Sequence, residues 1–162
     1  MSQTTQQPDL QAIQRKTVRV LTAGQVFSGF GLGSTLSIGS LLALELSGTT
    51  AWAGAAATFS TLGAATWAIP LARRAYARGR RVALATGAAI AITGASLIIT
   101  ATALKFLPLL LVALFLLGAG SATGLQARFA ATDLPANKST ARDLSIVVWA
   151  TTVGAVVGPN LF

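Results

Sequence analysis

Five long apolar runs, separated by short polar gaps, constrain this chain more than any other feature of its sequence. Each run has about 20 residues, the length that an α-helix needs to cross a hydrocarbon core of ~30 Å. Charged residues make up only 10% of the chain, against about 25% in an ordinary soluble domain. The sequence therefore predicts an all-α, polytopic transmembrane helix bundle. Its five helices are expected at about residues 20–46, 52–71, 82–104, 108–129 and 144–162.

The positive charges lie almost entirely in alternate gaps between these runs. Of the twelve Lys and Arg residues, eleven precede the first run or flank the second and fourth gaps, and only Lys105 lies elsewhere. Because basic residues concentrate in cytoplasmic loops, the N-terminus is expected on the cytoplasmic side. This topology accounts for the net charge of +8, so we expect a lipid bilayer as partner and no nucleic acid. The predicted location is the cell membrane.

The two ends of the chain differ in character. Residues 1–18 are polar and rich in Gln, a composition that predicts a disordered cytoplasmic tail. The transmembrane domain is expected to span residues 19–162. Its fifth run reaches Phe162 without a polar flank, which predicts that the chain is a truncated part of a larger membrane protein.

Residues that carry catalysis or bind metals are scarce. The chain has no Cys and no His, which removes thiol chemistry, the commonest general base and the commonest metal ligands. No two acidic residues are placed for chemistry that needs paired carboxylates. We therefore expect no enzymatic activity, no metal and no cofactor. The four acidic residues lie in tails or at run ends: Asp9, Glu45, Asp133 and Asp143.

Glycines recur at a spacing of four residues in three of the runs. A helix face without side chains allows close approach of a neighbouring helix, which matters where lipid removes the hydrophobic drive for association. The spacing predicts close helix packing, and the same smooth faces could also slide during a conformational change. The pairs are Gly29 and Gly33, Gly120 and Gly124, and Gly154 and Gly158.

Three short motifs carry a resemblance to a known family. The gap between runs two and three ends in Gly79-Arg80-Arg81. The fifth run contains the pattern G-x-x-x-G-P at residues 154–159. The gap before that run combines Asp133, Leu134 and Pro135 with Arg142 further on. With their place in the helix order, these motifs resemble the N-terminal half of the major facilitator superfamily, as the first five of twelve expected helices. One departure is that Tyr76-Ala77 stands where the family has Asp-Arg.

The resemblance implies a gate on the cytoplasmic side. Gly79 would permit a tight turn, and Arg80 or Arg81 would pair with Asp133 or with a carboxylate near the next loop. The basic cluster has a second interpretation, since it is also explained by topology and by attraction to anionic lipid head groups. In the fifth helix, Pro159 would make a hinge that seals against ion leak, or only a structural kink.

The resemblance also implies that helices one, four and five line a central cavity. Hydroxyls in helices often bond their own backbone instead of a substrate, so each assignment has a structural alternative. The candidate substrate contacts are Gln25, Ser34, Thr35, Gln126 and Trp149.

These expectations combine into a secondary active transporter of a small solute, working by alternating access together with a missing C-terminal half. It would export drugs or metabolites or take up nutrients. The alternative is a self-contained five-helix membrane protein that acts as an assembly or interaction partner. The sequence does not specify the solute, the direction of transport, the coupling ion or the oligomeric state.

Overall fold

The computed structural model describes residues 6–130 and 140–161, and the described chain is almost entirely helical. An all-α helix bundle of the transmembrane type was predicted, and this fold class is confirmed. The five α-helices are α1 (Gln6–Ser47), α2 (Thr50–Arg78), α3 (Arg80–Ala103), α4 (Leu107–Ala130) and α5 (Thr140–Val157), followed by a 3₁₀ turn over Gly158–Leu161.

Four helices are long and apolar enough to cross a membrane. They are Lys16–Ser47 within α1, all of α2 and α3, and Leu107–Phe129 within α4. The apolar part of α5, Leu144–Val157, is shorter. The predicted helix over 144–162 ends early at Val157, because Pro159 has no N–H to continue the helical ladder. The chain then tightens into the 3₁₀ turn, where the Asn160 amide donates to the carbonyl oxygen of Val156 at 2.7 Å.

The connection between α2 and α3 differs from its prediction. A basic loop was expected over 72–81, but α2 continues through Pro70 to Arg78, and Gly79 alone separates it from α3. Gly79 has φ 87° and ψ 159°, a conformation that is essentially confined to glycine. The basic residues of this region therefore lie on helix ends. Likewise, α1 begins at Gln6, within the segment predicted as a disordered tail.

The other two described connections are as short as the sequence predicted. Gly48 and Thr49 join α1 to α2, and residues 104–106 join α3 to α4. Both turns use a left-handed residue, Gly48 with φ 71° and Lys105 with φ 49°. Such short links make neighbouring helices antiparallel. The Arg residues of α2 and α3 therefore lie at the same end of the bundle, the basic end.

Helix α4 lies at the centre of the bundle. Of its most apolar stretch, 44% is buried, against 17–24% in α1, α2 and α3. It packs mainly against α2 and α3, while α5 packs against α1. At the end opposite the basic end, Leu110 and Leu114 of α4 meet Ala43, Ala56 and Ala101 from α1, α2 and α3. Large apolar side chains outside the core, such as Ile69 and Ile99, are exposed, which suits contact with lipid.

Candidate functional site

A cavity of about 530 Å³ lies among α1, α2, α3 and α4. Its lining comes from the middle of each helix, so it sits about halfway along the bundle. The walls are mostly apolar, with Ser and Thr hydroxyls between them. The lining residues are Phe27, Ser28, Gly31, Leu32 and Thr35 of α1, Ser60, Thr61 and Ala64 of α2, Ala91, Ile92 and Ala95 of α3, and Leu117, Gly120 and Ser121 of α4.

The five predicted substrate contacts are distributed over several surfaces. Thr35 lines the cavity, and Ser34 beside it is half-buried without lining it. Gln25 and Gln126 are buried in the bundle, and Trp149 is 69% exposed on α5. No described residue of α5 lines this cavity. This cavity is therefore lined by α1 through α4, and the lining of a central cavity by helices one, four and five stays a prediction.

Two of the cavity hydroxyls, those of Thr35 and Thr61, form hydrogen bonds within their own helices. Thr35 Oγ1 donates to the carbonyl oxygen of Gly31 at 2.6 Å, and Thr61 Oγ1 donates to that of Ala57 at 2.9 Å. Thr66 on α2, which does not line the cavity, does the same with Leu62 at 2.8 Å. This is the alternative that the sequence left open for each hydroxyl. The lone pairs of the Thr oxygens still allow them to accept a hydrogen bond from a solute.

A buried amide links α1 to α4 near the cavity. Gln25 is 1% exposed, and its Nε2 donates to the carbonyl oxygen of Gly124 at 2.7 Å. The bond lies one helical turn from Ser28, on the side of the basic end. A side-chain bond between membrane helices contributes roughly 0.6–2 kcal/mol and orients the two helices. Gln25 thus fixes how α1 meets α4 beneath the cavity.

The contact between α1 and α5 depends on glycine. A Cβ on Gly29 would collide with the backbone of Thr151, Gly154 and Ala155. In the other direction, a Cβ on Gly154 would meet the carbonyl oxygen of Val26, and one on Gly158 would lie 2.9 Å from that of Phe30. The close packing predicted for the glycine pair on α5 is found here.

The basic end carries the residues predicted to form a gate. Arg73, Arg74, Arg78 and Arg81 are exposed, and Arg80 is half-buried and makes an interaction of its own. Asp133 lies outside the described residues. Arg142 is in α5 and Pro159 is in the 3₁₀ turn, and their side chains also lie outside the described part.

Sequence reasoning missed Ser60, Thr61 and Ser121 in the cavity, and Gly63 and Gly94 in the packing of α4. A Cβ on Gly63 would collide with the Phe115 backbone, and one on Gly94 would lie 2.7 Å from the Leu117 nitrogen. Small residues recurring every three or four positions were the available signal, but they are common throughout this Gly- and Ala-rich chain.

Comparison with known proteins gives two relatives from Bacillus subtilis (strain 168). The chain is 39% identical over 150 residues to the uncharacterized MFS-type transporter YdeG, covering 93% of this chain and 35% of YdeG. It is 40% identical over 147 residues to the uncharacterized MFS-type transporter YddS, covering 91% of this chain and 34% of YddS. The chain therefore spans about a third of the length of the curated relatives that it matches. No family model and no solved structure matches it.

Proposed function

Because the chain belongs to the major facilitator superfamily, we propose that it forms part of a secondary active transporter that moves a small solute by alternating access. The observation that carries this proposal is the cavity halfway along the bundle. A solute site in alternating access is reached from either side of the membrane in turn, which requires a position near the bilayer midplane. The lining residues come from the middle of four helices, which supports such a position for the cavity.

The cavity also limits the kind of solute. Its volume of about 530 Å³ lies within the range of small-molecule sites, which is roughly 300–1,000 Å³. Apolar walls favour an apolar body, and the hydroxyls of Ser28, Thr61 and Ser121 can orient a few polar groups. We infer an amphiphilic organic solute of modest size. The sequence relatives carry names that specify no solute.

The remainder of the transporter would cover the open side of this cavity. Phe27 lines the cavity yet is 75% exposed. A second helical bundle packed over Phe27 would bury this side chain and complete the cavity. We propose this second bundle as the partner of the chain, and the cell membrane as its location.

We also propose a gate at the basic end, where α2 turns into α3. Three observations support this proposal: Arg80 and Arg81 follow Gly79 at the start of α3, α3 packs against α4, and Asp133 follows α4 in the sequence. Closure would bring one of these guanidinium groups onto the Asp133 carboxylate, a charge-assisted contact that is strong when shielded from water. Arg142, Gly154, Gly158 and Pro159 would let α5 adjust against α1 during the change.

Cysteine labelling tests the proposal without knowledge of the solute. Thr61 and Thr66 make the same backbone bond on the same helix and are both exposed, but only Thr61 lines the cavity. The 162 residues contain no Cys, so T61C and T66C each add a single thiol to this part. In the complete protein encoded by the gene, with other thiols removed, we expect a membrane-impermeant maleimide to modify T61C and spare T66C.

Applying the maleimide from each side of the membrane in turn distinguishes a transporter from an assembly partner. A transporter should show T61C labelling both in intact cells and in inverted vesicles, because its cavity opens in turn to each side. Labelling from one side only, or equal labelling of T61C and T66C, would contradict alternating access. It would instead favour a membrane protein that serves as an assembly partner.

A further inference from the structure

The cavity borders a buried hydrogen-bond acceptor at its end nearest the basic end. Gln25 uses its Nε2 to bond Gly124, which fixes the orientation of its amide. Its Oε1 is buried and has no donor among the described residues. Buried polar atoms are nearly always paired, so each exception calls for a partner.

Gly124 is the point at which this acceptor meets the cavity wall. A Cβ at Gly124 would lie 3.2 Å from Ser28 Oγ and 3.3 Å from Gln25 Oε1. Ser28 lines the cavity. The free oxygen of Gln25 and the hydroxyl of Ser28 therefore converge on the same small space, which any larger residue at 124 would occupy.

The register of α1 against α4 places a positive charge next to it. The two helices are antiparallel: Gly39 faces Leu114 and Ser28 faces Gly124. One further turn toward the basic end brings Arg128 of α4 opposite Gln25 and Thr22 of α1. Arg128 lies in the last turn of α4, and it shares a helix face with Gly124 four residues earlier.

These neighbours also have unused hydrogen-bonding atoms. Arg128 Nε and Thr22 Oγ1 are both buried and have no partner among the described residues. The group thus offers a charged donor, a hydroxyl and a neutral acceptor, one turn beyond the apolar walls. A ligand that satisfies all three needs an anionic oxygen that accepts from Arg128 and from the Thr22 hydroxyl, and a donor for Gln25 Oε1.

We propose that Thr22, Gln25 and Arg128 form a binding subsite for an organic anion that carries a hydroxyl next to its carboxylate. The carboxylate accepts from the Arg128 guanidinium, and the ligand hydroxyl donates to Gln25 Oε1. The apolar body of the ligand extends past Ser28 into the cavity. This inference rests on the proposed function, since it assigns the polar end of the solute that the cavity takes.

Thermal unfolding of the complete, detergent-purified protein tests the subsite. Mandelate and phenylacetate share a phenyl ring and a carboxylate and differ by one hydroxyl. A ligand that binds only the folded state raises Tm by mass action. We expect mandelate to raise Tm more than phenylacetate at equal concentration, and inorganic phosphate to have little effect because it has no apolar body.

Two variants and one control assign the effect to the proposed residues. R128Q should weaken mandelate binding at least about tenfold, as expected for loss of a hydrogen bond to a charged group. R74Q removes an exposed charge at the same end of the bundle and should leave the affinity unchanged. Q25M keeps the side-chain volume and should remove the difference between mandelate and phenylacetate.

Other results would overturn the subsite. If neither organic anion shifts Tm, or if R128Q and the parent protein respond equally, the three atoms are bonded to water or to other protein groups. A shift with phosphate alone would assign the site to a free inorganic ion. If T61C is labelled from both sides while mandelate does not bind, the subsite fails and the transport proposal stands.

Discussion

Glycine determines how closely the helices of this bundle approach one another. At Gly29 the atoms that a Cβ would strike are all backbone atoms of α5, including Ala155 N at 2.8 Å and Gly154 Cα at 2.9 Å. Backbone atoms cannot rotate away as a flexible side chain can, so any substitution must push α5 aside. The sequence predicted close packing at this spacing. It could not predict which helices meet, because the spacing is similar on several runs.

A single methyl group at Gly29 should therefore destabilise the contact between α1 and α5. Overpacking a close contact costs about 1–3 kcal/mol, so we expect G29A to lower the Tm of the detergent-purified protein by several degrees. The measurement is loss of the monodisperse size-exclusion peak after heating. G24A is the matched control on the same helix, since a Cβ at Gly24 meets nothing within 4 Å. Equal Tm values for the two variants would show that α5 is not held by this contact.

At the scale of whole elements, the junction of α2 and α3 shows where sequence patterns mislead. Pro70 and five Arg residues predicted a loop, but the helix continues for eight residues beyond the proline. A proline inside a membrane helix loses one hydrogen bond, yet it is tolerated where neighbouring groups and local adjustment satisfy the freed carbonyl. The glycine at position 79, not the proline, ends the helix. Propensity rules derived from water place too much weight on proline here.

The same junction carries a prediction for the gate. If Arg80 holds the basic end closed, R80Q should make T61C more reactive when the maleimide is applied from that side, and less reactive from the opposite side. The amount of protein in the membrane should stay the same, because the basic cluster retains its other Arg residues. R74Q is the control, since Arg74 is exposed on α2 and has no place in the proposed gate, whereas Arg80 is half-buried. If R80Q does not change the labelling of T61C from either side, the gate is contradicted. The basic cluster is then explained by membrane topology and by contact with lipid head groups.

At the scale of the whole molecule, the sequence predicted the helix order, the antiparallel arrangement and the separation of charge between the two ends. Run length and the position of Lys and Arg determine these features, and both are local properties of the sequence. The cavity was predicted less well, because its lining depends on how four helices rotate about their axes. Thr35, one of the predicted substrate contacts, lines the cavity, Thr61 lines it without having been predicted, and Trp149 is exposed on α5.

The orientation of the bundle in the membrane gives the last prediction. Tyr76, 97% exposed, lies at the basic end, and the exposed Lys105 lies in the turn at the opposite end. Since the basic end should face the cytoplasm, an impermeant maleimide should label K105C in intact cells. It should label Y76C only after the cells are permeabilised. Both substitutions are at exposed positions where folding should tolerate them, which a total-labelling control with a permeant maleimide verifies. Labelling of Y76C in intact cells would reverse the topology, and with it the side on which the Arg80 gate and the Arg128 subsite lie.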